Sequence, residues 1–249
     1  MPLPADFART GFFATQATGV APKRFQVLGE RSSGTNFVKR LLGRNSPLKP
    51  SEELGWKHGF AQMMAIPPDL AVICVVRAPE AWALSMYAKP WHTKPGMQAL
   101  AFSEFIRAPW DTIIDRPRYF GAAEAGAVGQ PLQQDRDPLT GAVFDNLFAL
   151  RRAKLTALLS YLNRECPCIV LRTEVAQETP EATLDNMRAA LSLPARNAPF
   201  RPVVKRLGSK FKPSITHSDE GPAQMNEKDR AFMRVQLDPA QETALGYAI

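Results

Sequence analysis

The residues most suited to chemistry lie in one short segment, residues 29–36, which reads GERSSGTN. It follows an apolar run at residues 24–29 and precedes residues 36–42, whose apolar side chains recur at helical spacing. A glycine-containing loop between a strand and a helix can turn backbone N–H groups inward, and the helix N-terminus adds partial positive charge. We therefore expect this strand, loop and helix to bind a phosphate or a related anion.

The glycines of this loop, Gly29 and Gly34, have the GxxxxG spacing of the Walker A motif, but Thr35 stands where that motif needs lysine. The next buried strand, at residues 71–77, ends in Arg77 and lacks the acid with which Walker B holds Mg²⁺. We therefore expect phosphate binding without a metal, and a serine-rich turn that only caps a helix is the alternative. Further donors would come from the loop side chains Arg31, Ser32, Ser33 and Thr35.

Two more groups of polar residues lie near the loop in sequence. Arg77 is followed by Pro79 and then by Ser85, and an arginine at a strand end can converge with a serine in the next helix on one phosphate. Lys57 and His58 are adjacent, about twenty residues before Arg77, in a segment that we expect to form a weak strand at residues 54–59. Alternate side chains of a strand face opposite sides, so we expect only one of the pair to be catalytic.

Together these residues resemble the motifs of sulfotransferases that use 3′-phosphoadenosine-5′-phosphosulfate (PAPS). The loop is similar to the family's 5′-phosphosulfate loop, G-x-x-[RK]-[ST]-G-T-[TN]. The position of the motif that is usually basic is occupied by Ser32, and the basic residue of this chain, Arg31, lies one position earlier. Arg77 and Ser85 match the family's 3′-phosphate motif, R-x-P-x5-S. Lys57 and His58 resemble the lysine and histidine of cytosolic members, which space the two by one residue. Arg206, in a basic segment, resembles a C-terminal contact to the 3′-phosphate.

The resemblance implies transfer of a sulfuryl group from PAPS to a hydroxyl, and less commonly to an amine, without a metal. His58 would be the general base, with Lys57 and Arg31 stabilising charge on the departing phosphate. Lys57 and Glu30 are the alternative bases. The product would be 3′,5′-bisphosphoadenosine (PAP), and the acceptor a hydroxyl-bearing small molecule or saccharide. The residues that would bind the donor are Gly29, Arg31, Ser32, Ser33, Gly34, Thr35, Asn36, Arg77, Ser85 and Arg206.

Two other functions fit the same residues. A P-loop nucleotide or small-molecule kinase would share the loop, but the missing Walker lysine and the missing acid after the strand count against it. A non-catalytic module that binds nucleotides or polyanions would also use a basic loop, and would bind PAP without transferring anything. An acceptor screen with labelled PAPS would distinguish all three.

Strand-like segments alternate with helical segments along the chain. This order predicts an α/β fold in a single domain, with a mainly parallel sheet of four or five strands flanked by helices. The strands are expected at residues 24–29, 54–59, 71–77 and 168–171. Residues 24–88 would form the nucleotide-binding core. Residues 89–142, rich in proline and glycine, would be an irregular insertion that shapes the acceptor site. Its candidate pocket aromatics are Trp91, Phe102, Phe105, Trp110, Tyr119 and Phe120.

Composition limits the partners and the compartment. The 249 residues carry 31 basic and 24 acidic side chains, a net charge of +7 that favours an anionic partner. No long basic tract or nucleic-acid motif is present, so we expect no nucleic-acid partner. No apolar run approaches the roughly 20 residues of a membrane span, and the first residues do not read as a signal peptide, so we expect a cytoplasmic protein. Three cysteines cannot form a disulfide framework, and the oligomeric state is not predicted.

Overall fold

The computed structural model describes residues 2–15, 19–118, 120–204, 211–212 and 221–249. The chain divides into two compact units, which are described separately below. The first unit comprises residues 1–78, 154–208 and 239–249, and the second comprises residues 79–153 and 209–238. The single domain expected from the sequence stays a prediction.

The first unit contains a five-stranded, mostly parallel mixed sheet flanked by helices, which confirms the α/β class. The strands are β1 (Phe12–Ala14), β2 (Arg24–Gly29), β3 (Lys49–Pro50), β4 (Leu70–Val76) and β5 (Cys168–Arg172), in the order β1-β5-β4-β2-β3. All neighbouring pairs are parallel except β1 and β5. The three central strands confirm the predictions at residues 24–29, 71–77 and 168–171. The two edge strands were not predicted, because two or three residues are too few to show a pattern.

Strand β4 is the middle strand of the sheet. All of its residues are buried because both of its faces are covered. On one face, Val72 and Cys74 pack with Leu155 and Leu158 of a long helix. On the other face, β4 packs in a cluster with residues of two helices, α2 (Thr35–Asn45) and α8 (Pro180–Ala190). The three cysteines, Cys74, Cys166 and Cys168, are free and buried, as a non-disulfide role predicts.

The remaining helices of the first unit are short, apart from α6. They are α1 (Phe7–Thr10), α7 (Thr173–Glu178), α10 (Pro239–Ala244) and the 3₁₀ turn Ser160–Asn163 that continues α6 (Leu147–Leu159). Helix α6 begins at Leu147 because the Asn146 side chain accepts hydrogen bonds from the backbone N–H groups of Phe148 and Ala149 at 3.0 and 2.9 Å. No helix in the described ranges is long and apolar enough to cross a membrane.

The predicted strand at residues 54–59 is wrong, because this segment forms turns. Gly55 has a left-handed φ of +85°, and the Gly59 N–H donates to the Trp56 carbonyl at 2.8 Å. At Leu54 and Gly55 the backbone bonds to a side chain in place of a neighbouring strand. Gln26 of β2 accepts a hydrogen bond from the Leu54 N–H through Oε1 at 2.8 Å and donates one through Nε2 to the Gly55 carbonyl at 2.8 Å. The turn therefore follows β2 closely without adding a strand to the sheet.

The second unit contains α3 (Pro79–Ala88), α4 (Pro95–Gln98), α5 (Phe102–Phe105), the 3₁₀ turn Gln133–Asp135, the start of α6 and α9 (Glu227–Gln236). Residues 89–142 are irregular with short helices, as predicted. Of the aromatics expected to line a pocket, Phe102, Phe105 and Trp110 are instead buried in the core of this unit. Tyr87 contacts both phenylalanines edge to face, at centroid distances of 5.4 and 5.2 Å. Trp91 is half-buried, Phe120 is exposed, and Tyr119 lies outside the described residues.

Candidate functional site

The candidate site begins where β2 ends, at Gly29. This residue lies against the Val75 carbonyl of β4: a Cβ on Gly29 would come within 2.5 Å of that oxygen. Its N–H donates to the Lys57 carbonyl at 2.9 Å, and its carbonyl accepts from the His58 ring. Both polar groups of the Gly29 backbone thus bind the turn that carries Lys57 and His58, so the turn is fixed to the first residue of the loop.

The loop after Gly29 turns sharply into α2. Ser32 has a left-handed φ of 63° and Gly34 has a φ of +90°. A Cβ on Gly34 would lie 2.6 Å from Thr173 Oγ1, and this same hydroxyl donates to the Ser33 carbonyl. Gly34 therefore fits for two reasons, its backbone conformation and the close approach of Thr173. It is also the N-cap of α2 and has no side chain with which to cap the N–H groups of the first turn.

The polar side chains of the loop do not all face outward as donors. The Ser33 hydroxyl donates to the Glu30 carbonyl at 2.7 Å, which closes the turn internally. Thr35 is buried at the first position of α2. The Arg31 side chain is buried too, with its guanidinium carbon 5.7 Å from the centroid of the Trp56 ring. The backbone of the loop and the helix N-terminus are therefore the groups of this segment best suited to contact an anion.

His58 is held in one tautomer. Its Nδ1 lies 2.7 Å from the Gly29 carbonyl oxygen, which can only accept, so Nδ1 carries the proton and Nε2 keeps a lone pair. Burial, and after it the charge of Lys57, lowers the pKa of His58 well below its ordinary value of 6.5. The nearby cations Arg31 and Lys154 lower it further, against the effect of the Gly29 hydrogen bond. His58 is therefore a neutral imidazole at pH 7, as a general base requires.

Lys57 contacts the start of α2. Its Nζ donates to the side-chain oxygen of Asn36 at 2.6 Å, and burial, followed by the charge of Lys39, lowers the pKa of the ammonium. The expectation that Lys57 and His58 face opposite sides came from the strand that is not formed. On the turn that replaces it, both residues contact the segment 29–36 through different atoms, so the structure brings both of them to the loop.

Arg77 follows the last residue of β4 and also reaches the loop. Its Nη1 donates to the Ser32 carbonyl at 2.9 Å, and burial lowers the pKa of the guanidinium. The chain beside it is fixed by Glu174, which accepts from the Ala78 N–H at 2.8 Å and from the Tyr247 hydroxyl at 3.1 Å. Arg77 therefore lies at the same end of the sheet as the loop.

Two predicted donor-binding residues are not brought to this group by the described contacts. Ser85 lies on α3 in the second unit and is half-buried. Arg206, in the basic segment at residues 205–212, lies outside the described residues. The predicted convergence of Ser85 and Arg206 with Arg77 on one phosphate stays a prediction.

Three residues contribute to the site without having been predicted from their own types. Trp56 packs on Arg31 and, edge to face, on His58, with ring centroids 5.4 Å apart. Thr173 fixes the Ser33 carbonyl. Lys154 donates to the His58 carbonyl at 2.8 Å. Of these, Lys154 had a visible signal: it lies four residues from Leu150 and from Leu158, in the apolar stripe of α6 where a lysine is unusual.

Within the described ranges, no three His, Cys, Asp or Glu side chains group together in a way that could hold a metal ion. A search with protein-family models gave no match to this chain, and neither curated proteins nor solved structures gave one.

Proposed function

We propose that this protein transfers a sulfuryl group from PAPS to a hydroxyl on a small molecule or saccharide. One observation carries the proposal: His58 Nδ1 donates to the Gly29 carbonyl at 2.7 Å, which couples a neutral imidazole to the first residue of an anion-binding loop. The charge of the surroundings is consistent with this, because Arg31 and Lys57 lie beside a base that must remain unprotonated.

The donor side of the proposal rests on the loop between β2 and α2, which we interpret as a P-loop-like phosphate cradle. The left-handed Gly34 and a helix N-terminus without a side-chain cap favour an oxyanion over a bulky neutral group. In this proposal the 5′-phosphosulfate lies over the loop, near Lys57. Arg77 then binds the 3′-phosphate, with the assistance of Ser85 and Arg206 expected from the sequence.

The chemistry requires one proton transfer and one displacement. The acceptor oxygen forms a bond to sulfur as His58 Nε2 takes the hydroxyl proton. The bond between sulfur and the 5′-phosphate oxygen breaks, and its electron pair stays on that oxygen as PAP departs. Lys57 and Arg31 stabilise the negative charge that develops there, with the backbone N–H groups of the loop. Glu30, buried in the loop, is the alternative acceptor of the proton.

The proposal is tested by an acceptor screen with radiolabelled PAPS on the wild type and on His58→Ala. We expect label transfer by the wild type, a turnover about 10²- to 10⁴-fold lower in the variant, and nearly unchanged PAP affinity. Glu30→Gln is the matched control in the same loop and is expected to keep most activity. Loss of activity in Glu30→Gln alone would assign the base to Glu30.

Two outcomes would replace the proposal altogether. Turnover of ATP that requires Mg²⁺, with no use of PAPS, would identify a kinase. Tight binding of PAP with no transfer to any acceptor would identify a non-catalytic nucleotide-binding module.

A further inference from the structure

We propose that Lys154 is a positioning residue for His58, whose ammonium fixes the turn at residues 56–60 and keeps the imidazole in its base-competent tautomer. Its consequence for turnover rests on the proposed function. Its effect on the imidazole does not, because the contacts concerned exist without donor or acceptor.

Three contacts join the Lys154 ammonium to this turn. Its Nζ donates to the His58 carbonyl at 2.8 Å. The same nitrogen lies 4.0 Å from the centroid of the Phe60 ring and 5.8 Å from that of Trp56, within the range of cation–π attraction. Lys154 thus contacts every second residue of the turn: the ring of Trp56, the carbonyl of His58 and the ring of Phe60.

The turn needs this support because it belongs to no helix and to no strand. Gly29 holds it on one side, through the Lys57 carbonyl and the His58 ring. Lys154 holds the His58 backbone from α6, so the histidine is fixed both by its ring and by its own carbonyl. Loss of either contact would let the ring move relative to the loop, and displacements of about 1 Å can cost a reaction as much as 100-fold.

Apolar packing of α6 alone does not account for a lysine at this position. Lys154 is 6% exposed, and burying an ammonium is unfavourable unless hydrogen bonds and charge-stabilising contacts replace water. A leucine would continue the apolar stripe of α6 without that cost. The charged groups that act on His58 are Lys57 from its own turn, Arg31 from the loop and Lys154 from α6, and all three favour the neutral ring.

The test compares Lys154→Met, which keeps an unbranched side chain of nearly the same length but has no charge and no donor, with Lys154→Arg, which keeps the charge and the donor. Arg152→Met is the matched control, because it removes an exposed cation two residues away on the same helix. Histidine ¹⁵N shifts would be followed against pH in each protein. The chain has three histidines, and His58→Ala identifies the signal of interest.

In Lys154→Met we expect the pKa of His58 to rise and its Nδ1–H tautomer to lose its dominance. We expect Lys154→Arg and Arg152→Met to resemble the wild type. At pH 7 the Met variant should lower kcat by about 10- to 100-fold and leave the KM for PAPS within about twofold. If Lys154→Met does not fold, Lys154→Gln, which keeps a donor without charge, takes its place in the same measurements.

The proposal would be overturned if the pKa and the tautomer of His58 were unchanged in Lys154→Met, or in Lys154→Gln where that variant replaces it. It would also be overturned if the pKa of His58 rose equally in Arg152→Met. A wild type that transfers no sulfuryl group, with the expected ¹⁵N changes in Lys154→Met, would refute the proposed function and leave the role of Lys154 standing.

Discussion

The chemistry of His58 is set by neighbours that oppose one another. Burial and three cations disfavour the imidazolium, while the Gly29 carbonyl accepts from Nδ1 and favours a ring that is protonated there. The balance lies with the neutral ring, so its Nε2 stays available as a base. The same balance also has a cost in stability, because an unfolded chain places no such constraint on the ring.

We expect this cost to appear as the pH falls below about 6.5. Unfolded His58 then takes up a proton near its ordinary pKa, whereas the native ring, with its lowered pKa, does not, so the free energy of unfolding decreases. Urea unfolding at about pH 7.5 and about pH 5.5 should show a larger decrease in the wild type than in His58→Gln. Equal decreases in the two proteins would contradict the lowered pKa.

The loop between β2 and α2 depends on Gly34. Replacement by alanine should abolish PAP binding and destabilise the protein, because the added Cβ would lie 2.6 Å from Thr173 Oγ1 and the φ of +90° is strained for alanine. Gly55→Ala is a matched control for strain alone, since Gly55 has a φ of +85° and no heavy atom within 4 Å of the added Cβ. Calorimetric titration with PAP and thermal unfolding measure both effects.

We expect Gly55→Ala to lose roughly 1 kcal/mol or somewhat more of stability and to keep its PAP affinity. Similar losses of stability and affinity in the two alanine variants would mean that the contact with Thr173 does not shape the loop.

The end of β4 carries a separate prediction about Arg77. Arg77→Ala should weaken PAP binding by about 10- to 150-fold, as expected for loss of a charge-assisted contact of roughly 1.5–3 kcal/mol. Binding of adenosine 5′-phosphosulfate, which lacks the 3′-phosphate, should change little. Arg77 also donates to the Ser32 carbonyl, so equal losses for the two ligands would show that it serves the loop and not the phosphate.

The elements that sequence could predict are those with a repeated pattern. The central strands follow from their apolar runs, and the start of α3 at Pro79 follows from the preference of proline for the first helical position. The turn at residues 54–59 could not be predicted, because it is determined by partners that are distant in sequence. The Gln26 side chain accepts from the Leu54 N–H, and Lys154 donates to the His58 carbonyl. The loop was recognised from its glycines and their spacing, whereas the donation of the Ser33 hydroxyl to the Glu30 carbonyl was not, because residue type alone does not fix where a serine hydroxyl points.

For the whole molecule, the excess of positive charge and the loop predict stabilisation by an anionic ligand that needs no metal. PAP at 100 times its Kd should add about 2.7 kcal/mol to the free energy of unfolding, because it binds the native state alone. The increase should be the same with Mg²⁺ and with a chelator. Thermal unfolding measures it, and an increase seen only with ATP and Mg²⁺ would instead support a kinase.

The edges of the sheet have a consequence for the behaviour of the protein at high concentration. One outer strand, β3, has two exposed residues, Lys49 and Pro50, and proline has no N–H to offer to another chain. The other outer strand, β1, has three residues and runs antiparallel to β5. The apolar β4, whose sequence AVICVV would favour intermolecular β-pairing if it were exposed, lies two strands in from either edge. The fold thus protects its most aggregation-prone segment with strands that are themselves poor templates for assembly.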